Sequence, residues 1–113
     1  MLLDLDGLKA VNDTHGHERG DEALCLVADV LRREVRDGDL PARFGGDEFA
    51  ILLPGADLTA AEAISDRIKR GVRTAWSDGA LGVSTGVALY AGDKRLSLLH
   101  ADEALYRAKE ARA

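Results

Sequence analysis

The sequence predicts an α/β (α+β) domain with one mainly antiparallel central sheet flanked by helices, in the order β-α-β-β-α-β-α. Three observations predict it. Short apolar stretches of period two alternate with longer stretches whose apolar residues recur every three or four positions. Two of the strand-like stretches are separated only by a glycine pair, which marks a hairpin and therefore antiparallel pairing. The chain has 113 residues, 46% of them hydrophobic, enough for one domain with one modest core.

The elements follow in order. "MLLDLD" reads as a strand with Leu3 and Leu5 on one side and Asp4 and Asp6 on the other. "LKAVNDTHGHERGD" is polar and turn-rich, with room for one short helical piece. From about Asp21 to Arg36, Leu24, Val27, Ala28, Leu31 and Val35 recur at helical spacing, with Asp21 as N-cap and Gly38 as stop. "LPARF" and "DEFAILLP" form the hairpin, in a register that sets Arg43 opposite Glu48 and Phe44 opposite Asp47. Thr59 to Glu62 has capping-box spacing and opens a helix with Ile64, Ile68 and Val72 on one face. "LGVSTGVALY" alternates around Val83, Thr85, Val87 and Leu89 as a strand. Ser97 then caps a last helix carrying Leu98, Leu99, Leu105 and Ala108. No linker, repeat or low-complexity tract interrupts this order.

Charge and cysteine content exclude several classes. The net charge of −5 argues against binding a nucleic-acid polymer, which needs a broad basic face. A small anionic ligand held by a few local groups remains compatible. Cys25 is the only cysteine, so no internal disulfide forms, and a reducing, cytoplasmic setting is expected. No stretch has the length of a membrane span or the form of a signal peptide, so no membrane contact is expected from this domain. Cys25 and Trp76 are expected to pack, and His15 and His17 are assigned no ligand role.

The chemistry concentrates in "RFGGDEFAILLP". Adjacent carboxylates, Asp47 and Glu48, stand at the mouth of an apolar strand, where charge is costly unless paired. The candidate partners are a metal ion, a basic side chain such as Arg43, or solvent at the turn. If the Asp4 strand neighbours the hairpin, Asp4, Asp47 and Glu48 meet at one end of the sheet. Such an oxygen cluster suits Mg²⁺, a hard cation that commonly shares its site with substrate phosphates. Gly45 and Gly46 would let a bulky ligand approach the backbone.

"RFGGDEF" contains the signature of the GGDEF domain, the catalytic domain of bacterial diguanylate cyclases, which the chain resembles along its whole length. "LDLDGLKAVNDTHGHERGDEAL" resembles that family's first strand and following loop, "VSTGVA" its penultimate strand and "ADEALYRAK" its last helix. The resemblance implies a ferredoxin-like core akin to nucleotide cyclases and polymerase palms. It implies a domain that joins two GTP molecules into cyclic di-GMP and releases pyrophosphate. It also implies Mg²⁺, with Mn²⁺ as a substitute, and a homodimer in which each protomer presents one GTP.

The resemblance carries roles residue by residue. Asp4, the carbonyl of Leu5, Asp47 and Glu48 match the metal ligands, and Asp47 and Glu48 the catalytic acids. Lys9 and Lys109 match lysines that bind phosphate, Gly45 and Gly46 the glycines along the GTP phosphates, and Asn12 and Asp21 the pair that reads guanine. The R-x-x-D of Arg36 and Asp39 ends just before the signature, at the offset of the family's inhibitory site for cyclic di-GMP, and Arg67 is the candidate second arginine there. Gly38 is expected to turn Arg36 and Asp39 toward solvent.

Residues 1–113 read as a single such domain, shorter at its N-terminus than the family, whose "DxLTGLxNR" segment is missing. The abrupt start in a strand suggests upstream sequence, and the family's regulators usually sit on other domains of a longer chain. The last helix departs from the family's "GRN" ending, with Arg112 three residues past Lys109. The alternative to an active cyclase is a regulatory module that binds GTP or cyclic di-GMP without turnover.

Overall fold

The computed structural model describes residues 1–77 and 79–112, with the side chain of Arg112 left aside. The element order is β1 (Leu2–Asp6), α1 (Leu8–His15), α2 (His17–Glu34), β2 (Leu40–Arg43), β3 (Glu48–Leu52), α3 (Leu58–Ala75), β4 (Gly82–Gly86) and α4 (Lys94–Arg112). The sheet runs β2-β3-β1-β4 with every neighbouring pair antiparallel. The expected fold class holds, with one helix more than the sequence suggested.

The sheet separates two apolar layers. Leu3 and Leu5 pack with Phe49, Ile51 and Val83 against Val27, Val30 and Leu31 of α2 and Ile64, Ile68 and Val72 of α3. On the other face Leu2 packs with Ala101 and Leu105 of α4. Each fully buried aliphatic side chain contributes about 1.5–3 kcal/mol. Pleating sends Asp4 and Asp6 to the α4 face, as their alternation with Leu3 and Leu5 predicts. Every residue of β1 is nevertheless buried, because α4 covers the side that alternation alone would leave wet.

Several boundaries depart from the sequence reading. The segment after Gly7 is a full helix, α1, with Val11 buried. Gly16, at φ 86°, both ends α1 and begins α2, so α2 starts four residues before Asp21, which is not its cap. α2 ends at Glu34 with Val35 as C-cap, ahead of Gly38. The N-cap of α3 is Asp57, whose side chain accepts from the Ala60 N–H at 2.8 Å, so the Thr59–Glu62 box is not used. β4 stops at Gly86, before Val87 and Leu89. α4 begins at Lys94, where Asp93 accepts from the Arg95 and Leu96 N–H groups, and Ser97 lies inside the helix. Leu98 and Leu99 are exposed, while Ala101 and Leu105 face the sheet. Trp76 packs as expected, but Cys25 is exposed.

The hairpin register is shifted by one residue. Arg43 pairs with Phe49 and Ala42 with Ala50. The Phe44 and Gly45 N–H groups both donate to the Glu48 carbonyl, at 2.8 and 3.2 Å, which widens the loop beyond a two-residue turn.

Candidate active site

Asp4 and Glu48 are register partners on the adjacent strands β1 and β3, on the face covered by α4. The Leu5 N–H donates to the Asp47 carbonyl at 3.0 Å, which ties the signature loop to the end of β1. One carboxylate oxygen each from Asp4, Asp47 and Glu48 lies within 4.8 Å of the others. The expected meeting of the three acids is therefore what the fold produces. Asp4 is buried, whereas Asp47 and Glu48 stand at the rim.

The electrostatics follow from that crowding. Burial, and then the nearby Asp4 charge, push the Asp47 carboxyl above its ordinary range. Lys109 of α4 reaches across and donates to Asp4 Oδ2. The hydrogen bond to Asp4 holds the Lys109 ammonium above its usual range. Asp4 Oδ1 is buried and makes no hydrogen bond among the described residues. An unpaired buried carboxylate oxygen beside two further acids is a donor set suited to a hard cation. Asp6, next on the same face, accepts from Ser84 Oγ at 2.6 Å.

Arg43 does not neutralise Glu48. Its guanidinium donates to the carbonyls of Gly45 at 3.0 Å and Gly46 at 2.7 Å. It braces the glycine loop from within, a role that the sequence reading missed because it paired side chain with side chain. Gly45 and Gly46 are exposed, and a Cβ at Gly46 would meet nothing within 4 Å.

The remaining candidates fall into two groups. Lys9 is exposed on the first turn of α1. Asn12 lies near the end of α1, and Asp21 is exposed on α2, which packs along α1. Arg36 and Asp39 sit on the turn after α2, where Arg36 donates to Asp39 through Nε at 3.0 Å and a terminal nitrogen at 2.9 Å. Arg36 also reaches the Pro54 carbonyl at 3.1 Å. The expectation that both side chains face solvent needs correction. The Asp39 side chain is only 2% exposed, because it accepts from the Arg36 backbone N–H at 2.8 Å and is covered by the guanidinium. Its hydrogen bond with Arg36 holds the Asp39 carboxyl below the ordinary range. Arg67 of α3 donates to the Glu34 carbonyl at 3.2 Å, two residues before Arg36. The side chain of Arg112 lies outside the described residues.

Comparison with known proteins agrees with this architecture. Residues 1–113 match the family model described as "Diguanylate cyclase, GGDEF domain". The chain is 41% identical to diguanylate cyclase DgcM of Escherichia coli K12, over 96% of this chain and 28% of that protein. It is 40% identical to the bifunctional diguanylate cyclase/cyclic di-GMP phosphodiesterase MucR of Pseudomonas aeruginosa, over 97% of this chain and 17% of that protein. The chain thus spans less than a third of the length of these curated relatives. It superposes with a TM-score of 0.88 on the crystal structure of the GGDEF domain of DgcB from Caulobacter crescentus in complex with c-di-GMP. That match has 31% identity and covers 97% of this chain and 70% of the other. Among the described residues no helix is long and apolar enough to cross a membrane.

Proposed function

Because the chain belongs to the GGDEF family, we propose that residues 1–113 form one catalytic domain of a diguanylate cyclase, which condenses two GTP into cyclic di-GMP and releases pyrophosphate. The observation that carries this reading is the convergence of Asp4, Asp47 and Glu48 within 4.8 Å, with Lys109 beside them.

Asp4, Asp47, Glu48 and the Leu5 carbonyl would hold Mg²⁺ or Mn²⁺. When bound, such an ion neutralises developing charge on the transferred phosphate and makes a coordinated hydroxyl more acidic. Glu48, at the rim of the site, is the group placed to accept the proton of the attacking 3′-hydroxyl. The exposed glycine loop, braced by Arg43, offers backbone without side-chain obstruction to the triphosphate. Lys9 and Lys109 supply counter-charge. Asp21 accepts from the N1–H and amino edge of guanine, and the Asn12 amide takes a further group. One domain holds one GTP, so forming both phosphodiester bonds requires two domains facing each other. The reaction is tested by incubating the protein with GTP and Mg²⁺ and chromatographing the products. GTP binding without cyclic product would make the domain a binding module.

Base reading has its own test. Asn12→Ala and Asp21→Ala are expected to weaken GTP by about tenfold or more and ATP far less, because a site built around polar edges discriminates by leaving them unpaired. Equal losses for both nucleotides, measured by equilibrium binding, would assign these residues to loop shape. Asp21 gives a clean comparison, since it lies inside α2 and does not cap it.

The turn at Arg36 and Asp39, with Arg67 close by, is the proposed inhibitory site for cyclic di-GMP. To bind there, the ligand must compete with the Arg36–Asp39 pairing, exchanging its phosphate for one partner and its guanine edge for the other. Arg36→Ala is expected to weaken cyclic di-GMP by about tenfold or more while GTP binding persists. Calorimetry on parent and variant decides, and unchanged affinity would leave the pair as a brace for its own turn.

A further inference from the structure

The base-reading role of Asn12 raises the question of what fixes its amide. Gly20 lies buried in α2 against it. A Cβ at Gly20 would stand 1.7 Å from Asn12 Oδ1 and 2.7 Å from its Cγ, closer than any non-bonded atoms approach. The amide therefore occupies the space that any side chain at position 20 would fill. Gly20 has no positive φ, so its backbone does not call for glycine. Within a helix, propensity alone favours alanine. The requirement comes from the neighbour.

Two further features keep Asn12 from retreating. The Gly16 N–H donates to the Asn12 carbonyl at 2.8 Å, which fixes the end of α1. Arg19, adjacent to Gly20, stacks 4.0 Å above the ring centroid of Trp76, which fastens α2 to the end of α3. Asn12 Oδ1, seated in this way, is buried and accepts no hydrogen bond among the described residues. An unpaired buried acceptor is costly, and packing against Gly20, rather than a hydrogen bond from the described residues, holds this oxygen in place.

We propose that Gly20 is a positioning residue that sets nucleobase selectivity: its missing side chain seats the Asn12 amide against α2, one residue from Asp21, so that both groups meet one guanine. The inference rests on the base-reading role proposed above for Asn12. A Cβ at position 20 drives the amide into another rotamer, removing its contact with the base while leaving the acids and the glycine loop in place.

The test is equilibrium binding of GTP and ATP, with Mg²⁺, to the parent, Gly20→Ala, Asn12→Ala and the double variant. Gly20→Ala is expected to lose about tenfold or more in GTP affinity and less than about twofold in ATP affinity. The double variant should lose no more than Asn12→Ala alone, because the Cβ then has nothing to displace. If Asn12→Ala loses selectivity and Gly20→Ala keeps it, the seating role is overturned and base reading stands. If Asn12→Ala keeps selectivity, the base-reading role fails and this inference with it. Should Gly20→Ala fail to fold, the double variant decides. Recovery of the fold with the GTP affinity of Asn12→Ala supports the seating role, and a double variant that stays unfolded overturns it.

Discussion

Asp47→Ala is expected to lose about a thousandfold in Mg²⁺-dependent turnover of GTP, corresponding to about 4 kcal/mol of transition-state stabilisation, while the fold persists. Asp47 stands on the loop before β3 and only at the rim of the core, so its removal opens no cavity. Its raised pKa, caused first by burial and then by Asp4, predicts a gain in the metal-free protein. A carboxyl whose folded pKa lies above its unfolded value favours folding below the unfolded pKa, and that advantage is lost as pH rises through the folded pKa. At neutral pH, metal-free Asp47→Ala should therefore melt above the parent, and the difference should vanish in acid. Thermal melts with and without Mg²⁺, together with turnover assays, check both halves. Parent-like turnover would remove Asp47 from the site.

Gly86→Ala should destabilise the domain through α4. A Cβ at Gly86 would lie 2.1 Å from the Ala101 carbonyl oxygen and 2.4 Å from the Leu105 nitrogen. Both are helix backbone, so the whole of α4 must move away from β4. Overpacking of this kind costs about 1–3 kcal/mol, or about 5 °C or more in Tm for a domain of this size. Because α4 also carries Lys109, the Asp4–Lys109 contact should loosen and turnover fall alongside stability. Gly82→Ala is the control, since a Cβ there meets nothing within 4 Å on the same strand. Equal Tm values for the two variants would mean that α4 does not rest on Gly86.

The legible parts of the fold were those whose signal is local. β1 announced itself by alternation, and α2 and α3 by Leu31, Val27, Ile64 and Ile68 at helical spacing. The meeting of Asp4, Asp47 and Glu48 followed once β1 was placed beside the hairpin. What escaped was set by tertiary contact. α1 exposes most of its residues and buries only Val11, so its periodicity was faint. Asp21 has a capping side chain, yet Gly16 had already begun the helix by adopting a φ that other residues resist. The hairpin register turned on the Glu48 carbonyl accepting two N–H groups, a backbone choice that no side chain advertises. The resemblance marked Asp4 and Lys109 separately, but their direct contact spans 105 positions and depends on how α4 lies across the sheet.

The central place of β1 has a consequence for how the molecule comes into being. Both of its hydrogen-bonding neighbours, β3 and β4, are translated after it. As the ribosome delivers the chain, the middle of the sheet emerges before its partners and must wait with two bare edges. Its first neighbour arrives with the signature loop, and its second only when most of the domain has been made. Pairings of such long sequence separation make assembly slow, and an apolar strand held waiting is prone to stick to other chains. Lys109 emerges later still, so its contact with Asp4 forms only after α4 has been made. A nascent chain stalled before β4 lacks both the second neighbour of β1 and the helix that covers its acidic face, so the cluster of Asp4, Asp47 and Glu48 stays open until α4 has been made.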